Sequence, residues 1–121
     1  MTLPAIPMDP ILEFLAGLLN TPSPTGDTEQ AMTYVEQAVR DLPLNVSRTV
    51  KGGLVLTWAG DATRPCALTA HVDTLGAMVK KIKGNGRLEL TQLGGYDWHA
   101  IEGEGCTVVT AAGQRYRGSI L

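Results

Sequence analysis

Aromatic residues are few: two Trp, three Tyr and one Phe in a chain of 121 residues. That scarcity argues against a surface that stacks the bases of single-stranded nucleic acid. Positive charge is not in surplus either. Ten Lys and Arg against twelve Asp and Glu leave a formal net charge of -2, with no electrostatic drive toward nucleic acid or an anionic membrane. No apolar run approaches the length of a membrane span. The opening "MTLPAIPMDP" has neither the basic stretch nor the apolar core of a secretory leader. Cysteine occurs twice, at Cys66 and Cys106. A secreted disulfide framework needs more thiols in a shorter chain, so both read as buried cysteines packed in apolar strands, in a reducing compartment, by default the cytoplasm. There is no Gly-x-Ser-x-Gly elbow, and Ser23, between two prolines, reads as a loop residue, so nucleophilic catalysis finds no support.

What is present describes a soluble globular chain: 44% apolar and 18% charged residues, at a length that suits one ordinary domain. Fourteen glycines predict tight turns and hairpins rather than a helical bundle.

The first predicted element is a helix over residues 9–20. Asp9 serves as its cap, Pro10 takes the first helical position, and Ile11, Leu15, Leu18 and Leu19 share one face. The prolines of "TPSPTG" end it. A second helix is expected from Asp27 to about Asp41, with Gln30 as capping-box partner. Its buried stripe would be Ala31, Val35, Ala38, Val39 and Leu42, and Pro43 stops it.

The period then changes. "LNVSRTV", "KGG" and "LVLTW" read as a hairpin with Gly52 and Gly53 at the corner, and "GDATRP" as a loop. "CALTA" is a short apolar run of the kind found in a central strand buried on both faces, and it ends at His71. Beyond Gly76 come "AMVKKIK" and "RLELTQL" about a "GNG" turn, then "CTVVT" and "RYRGSIL" about "AAGQ". No helix is legible in that half, so a composition boundary falls near residues 74–76. "GSIL" stops in mid-strand, which predicts that the chain is the front piece of something longer.

Chemistry concentrates in "LTAHVDTLGAMV". Residues two apart on a strand share a face, so His71 and Asp73 can touch. An imidazole binds a metal ion through one nitrogen while a carboxylate accepts the other N–H and fixes the tautomer. The C-terminal end of a strand is also where α/β sheets keep their sites. The plainer reading is a surface pair with no duty. His99, beside Trp98, could be a second ligand but reads rather as a solvated loop residue. The "GNG" and "GGLVL" glycines lack the strand-turn-helix setting of a phosphate loop and read as turns.

Several stretches together resemble one family. "TPSPTGDTEQAMTYVEQAV" is similar to the loop and helix that open the di-metal aminopeptidases of tetrahedral assembly. These are also called deblocking or glutamyl aminopeptidases, and sometimes cellulases or endoglucanases. "LTAHVDTLGAMVKKIKGNGRLELTQLGGYDW" resembles their metal-binding strand running into an inserted domain, and "GCTVVTAAGQRYRGSIL" the next hairpin of that insert. The related carboxypeptidase-like exopeptidases share His-x-Asp but usually follow it with proline; Gly76 and the β-rich stretch after it argue against them.

The resemblance implies an α/β fold in two parts. Residues 1–75 would be the N-terminal part of a zinc-exopeptidase α/β sandwich, and 76–121 the start of a β-rich, barrel-like dimerisation domain. It implies that His71 ligates one of two divalent metal ions, zinc or cobalt. Asp73 would orient the His71 ring and counts among the catalytic residues. The substrates would be peptides, attacked at the carbonyl by a metal-bridging water with a glutamate taking the proton, and the protein a homo-oligomer. The family's other metal ligands, a bridging aspartate, further carboxylates and a second histidine, come later than the matching stretches, and this sequence has none of them. The chain alone is therefore expected to be inactive and metal-free or weakly metal-binding. Thr74 also departs from the family, where glutamate is common. Its open sheet edges predict self-association. The rival reading is a small non-enzymatic binding or assembly module. A sugar-cleaving enzyme needs two acidic residues facing across a cleft, and no such pair can be placed among the twelve.

Overall fold

Helix α1 forms at Met8–Leu19, where leucines, Ile11 and Phe14 alternate with small and acidic residues. This is the computed structural model of the chain, and it describes residues 5–60 and 63–121. The expected cap is displaced. Pro7 holds the cap position without a side-chain bond, and Asp9 lies inside the first turn. Pro10 sits in that same turn, where a missing N–H removes no helical bond. At the other end Asn20 Nδ2 donates to Ala16 O at 2.7 Å and Thr21 Oγ1 to Gly17 O at 2.9 Å, so two terminal carbonyls are satisfied by side chains.

The second helix, α2, spans Glu29–Val39, later than its expected start. No capping box forms between Asp27 and Gln30. The Asp27 N–H is instead spent on Pro24 O at 2.8 Å, which makes Asp27 the last residue of a turn. The two helices meet where α1 has no side chain: Gly17 lies against Tyr34, whose hydroxyl donates to Phe14 O at 3.2 Å. The Phe14 and Tyr34 rings stack with centroids 5.5 Å apart. Of the expected stripes, Ala31 is fully buried, Leu18, Val35 and Val39 are half-buried, and Ile11, Leu15, Leu19, Ala38 and Leu42 are exposed.

Strands β1 (Leu44–Arg48) and β2 (Leu54–Trp58) pair antiparallel, with Arg48 opposite Leu54. Arg48 also reaches α2: Nη1 donates to both Glu29 oxygens at 2.9 Å and Nε to Glu36 Oε2 at 3.1 Å. Strands β3 (Gly76–Ile82) and β4 (Leu88–Leu93) form a second hairpin, and β5 (Gly105–Val109) and β6 (Arg115–Ser119) a third.

All three corners are built alike. At the first, Gly52 N donates to Thr49 O at 2.9 Å and Thr49 N to Gly53 O at 2.8 Å, with Gly52 at φ +82. Lys83, Gly86 and Arg87 repeat the pattern, as do Thr110, Gly113 and Gln114. This is a tight turn closed by a residue of positive φ, which glycine adopts without a Cβ penalty. In the first and third corners the threonine hydroxyl accepts a further backbone N–H, at 2.9 Å from Gly53 and 3.1 Å from Gln114. Between β4 and β5 a single 3₁₀ turn, Trp98–Ala100, adds the helical element absent from the sequence reading of that half.

The expected central strand is the main correction. Residues 66–70 have no strand partner among the described residues, and all five are exposed, Leu68 at 102%. Cys66 is exposed and Cys106 half-buried, so the expectation of two buried thiols fails outright for Cys66 and in part for Cys106. A strand buried on both faces needs neighbours on both edges, and none of the described strands lies beside this one. The loop predicted for "GDATRP" falls partly outside the described residues, at Asp61 and Ala62.

The chain divides into two compact units, Met1–Ala77 and Met78–Leu121. Among the described residues no helix is long and apolar enough to cross a membrane.

Candidate metal-binding site

His71 and Asp73 lie together in the first unit. The Nδ1 of His71 is 3.0 Å from Asp73 Oδ1 and 3.2 Å from the Asp73 carbonyl oxygen. Both partners are acceptors, so Nδ1 is the donor of the pair, which in a neutral ring leaves the lone pair on Nε2. The imidazole is 82% exposed and the Asp73 side chain 41%. The pair is thus joined as the i, i+2 spacing predicts, on an open surface rather than on the buried strand expected.

Asp73 has a second partner that the sequence did not reveal. Thr25, in the loop between α1 and α2, donates its hydroxyl to Asp73 Oδ2 at 2.8 Å. Each carboxylate oxygen therefore accepts one hydrogen bond. The Thr25 hydrogen bond foremost, then that from His71, hold the Asp73 carboxyl below its ordinary pKa. Hydrogen bonds to the charged form favour it.

That loop is fastened to the site by its backbone. Thr74 N donates to Ser23 O at 2.7 Å, and Pro24 and Thr74 form an isolated parallel bridge. Gly76 completes the seam, since a Cβ there would stand 2.8 Å from Pro24 Cβ. Ser23 is a loop residue as expected, yet only 2% exposed, and its hydroxyl has no partner among the described residues.

The donor set suits part of a metal site. A neutral imidazole with one nitrogen tied to a carboxylate and the other free is what a zinc-like ion takes as a ligand. Among the described residues, however, no three His, Cys, Asp or Glu side chains cluster closely enough to hold an ion. His99 belongs to the second unit, with Nδ1 at 3.7 Å from Glu102 Oε2 and its backbone N–H donating to Asp97.

The sequence profile of the M42 glutamyl aminopeptidases matches residues 52–121, more than half of the chain and including His71 and Asp73. The chain belongs to the M42 family. A protein of Bacillus subtilis (strain 168) named "Putative aminopeptidase YhfE" is 46% identical over 111 residues, which cover 91% of this chain and 32% of that protein. The fold matches a crystal structure of the TET aminopeptidase from the marine sediment archaeon Thaumarchaeota archaeon SCGC AB-539-E09 with a TM-score of 0.85 at 20% identity. That match covers 93% of this chain and 31% of the archaeal one. This M42 chain thus spans about a third of the length of these relatives.

Proposed function

We propose that the chain is the N-terminal portion of a metal-dependent aminopeptidase that removes N-terminal residues from peptides. Residues 1–75 would belong to its catalytic domain and 76–121 to the start of a β-rich oligomerisation domain. The single observation that carries this reading is the 3.0 Å pairing of His71 Nδ1 with Asp73 in a chain of the M42 family, which leaves Nε2 for an ion.

In this reading His71 is a ligand to one of two divalent ions, zinc or cobalt. Asp73 keeps the proton on Nδ1, sets the plane of the ring and raises the basicity of Nε2. A bound ion of this kind supplies Lewis acidity toward a peptide carbonyl and lowers the pKa of a bound water. Because one imidazole is far short of a complete coordination shell, the 121-residue chain alone is inactive and binds metal weakly. The complete protein is a cytoplasmic homo-oligomer acting on peptides, with no nucleic-acid or membrane partner.

The test is the full-length enzyme that carries this chain. Supplied with zinc or cobalt, it releases N-terminal residues from unblocked peptides and leaves N-acetylated ones intact. His71→Ala lowers that activity by at least about 100-fold, the upper range for disturbing even the outer partners of a metal site. A His71→Ala enzyme of undiminished activity removes the ligand assignment.

A further inference from the structure

We propose that Thr25 is a positioning residue for the site, holding the Asp73 carboxylate so that its other oxygen fixes the His71 ring. The proposal deepens the reading of His71 as a metal ligand and rests on it for its purpose, though not for its geometry.

Thr25 comes from 48 residues away and reaches Asp73 Oδ2 at 2.8 Å, while His71 takes Oδ1 at 3.0 Å. A carboxylate held by one hydrogen bond swings freely about its side-chain torsions; held at both oxygens, it has one orientation left. Terminal torsions of Asp are broad, so such an orientation must be imposed from outside.

Thr25 can impose it because its own backbone is fixed. Pro24 before it is bridged to Thr74 and faces Gly76. Gly26 after it has φ +94, and Asp27 N closes the turn onto Pro24 O at 2.8 Å. A four-residue turn with positive φ at its third position leaves little freedom to the residue at its second, here Thr25. Gly76 matters for the same reason: any side chain there would lift the loop from the segment that carries Asp73.

The chain offers an unusually clear readout, because it contains only two histidines. Nitrogen NMR distinguishes the two tautomers of a neutral imidazole ring. In the unsubstituted chain His71 shows the Nδ1–H pattern, and exposed His99 serves as the internal reference. Thr25→Val keeps the size and removes the hydroxyl, and the His71 shifts move toward those of His99. Thr25→Ser restores the Nδ1–H pattern. Ser23→Ala, which removes from the same loop a hydroxyl with no partner among the described residues, leaves the pattern unchanged. With zinc added, Thr25→Val requires roughly 10-fold more metal to shift the His71 signals, the lower range for outer partners of a metal site.

The proposal is overturned by an Nε2–H ring in the unsubstituted chain, by an Nδ1–H pattern that survives in folded Thr25→Val, or by an equal response to Ser23→Ala. Should Thr25→Val fail to fold, Thr25→Ser decides, since loss of the pattern with the hydroxyl retained also overturns it. If zinc leaves the His71 signals of the unsubstituted chain unmoved, the ligand reading falls while the tautomer comparison still decides Thr25.

Discussion

The three hairpins and the stretch at residues 66–70 have similar apolar texture, yet only the hairpins became strands. A hairpin brings its own partner: β1 finds β2 across a five-residue corner, and the Gly52 conformation dictates where the chain returns. Residues 66–70 have no such neighbour among the described residues, and all five are exposed. A long-range backbone link in this region is made at Thr74, whose N–H donates to Ser23 O. Local patterning therefore specifies a strand when its partner is close in sequence, and merely permits one when the partner must come from afar.

Three substitutions sharpen that contrast. The largest effect is expected at Gly76, where the long-range seam has no spare room. Gly76→Val would drive a side chain into Pro24 and cost about 1–3 kcal/mol, the range for overpacking. Denaturant titration of the chain measures this, and an unchanged midpoint would show that the seam contributes nothing. Next comes a hairpin corner. Gly113→Val places a β-branched residue at φ +76 and should cost about 1–2 kcal/mol, with loss of amide protection confined to β5 and β6. Smallest is Leu68→Ser, expected within about 0.5 kcal/mol because the side chain is already in water. A buried strand leucine would lose about 2–5 kcal/mol on truncation, so a loss of that size would show that residues 66–70 are packed after all.

Much of the fold was legible in the sequence wherever contacts are local. Both helices and all three hairpins form near their expected positions, because periodicity and glycine placement act over a few residues. The caps were less legible. Asp27 has the right chemistry for a helix cap, but its N–H was captured by Pro24 and it became part of a turn. At the candidate site the sequence pointed to His71 and Asp73 because two-residue spacing is a local statement. It was silent on Thr25. Nothing in "TPSPTG" beyond its helix-breaking prolines shows that one hydroxyl meets a carboxylate 48 residues on. That contact exists only once Gly76 and Thr74 have seated the loop.

The joint between α2 and the first hairpin is made by one guanidinium shared between two carboxylates two helical turns apart. An ionic joint answers to conditions in the opposite sense from an oily one. Concentrated salt weakens the attraction of partly exposed charges, whereas cooling, which saps the association of greasy surfaces, leaves it intact. The first unit should therefore keep its helix and hairpin seated in the cold and lose that seating first in brine.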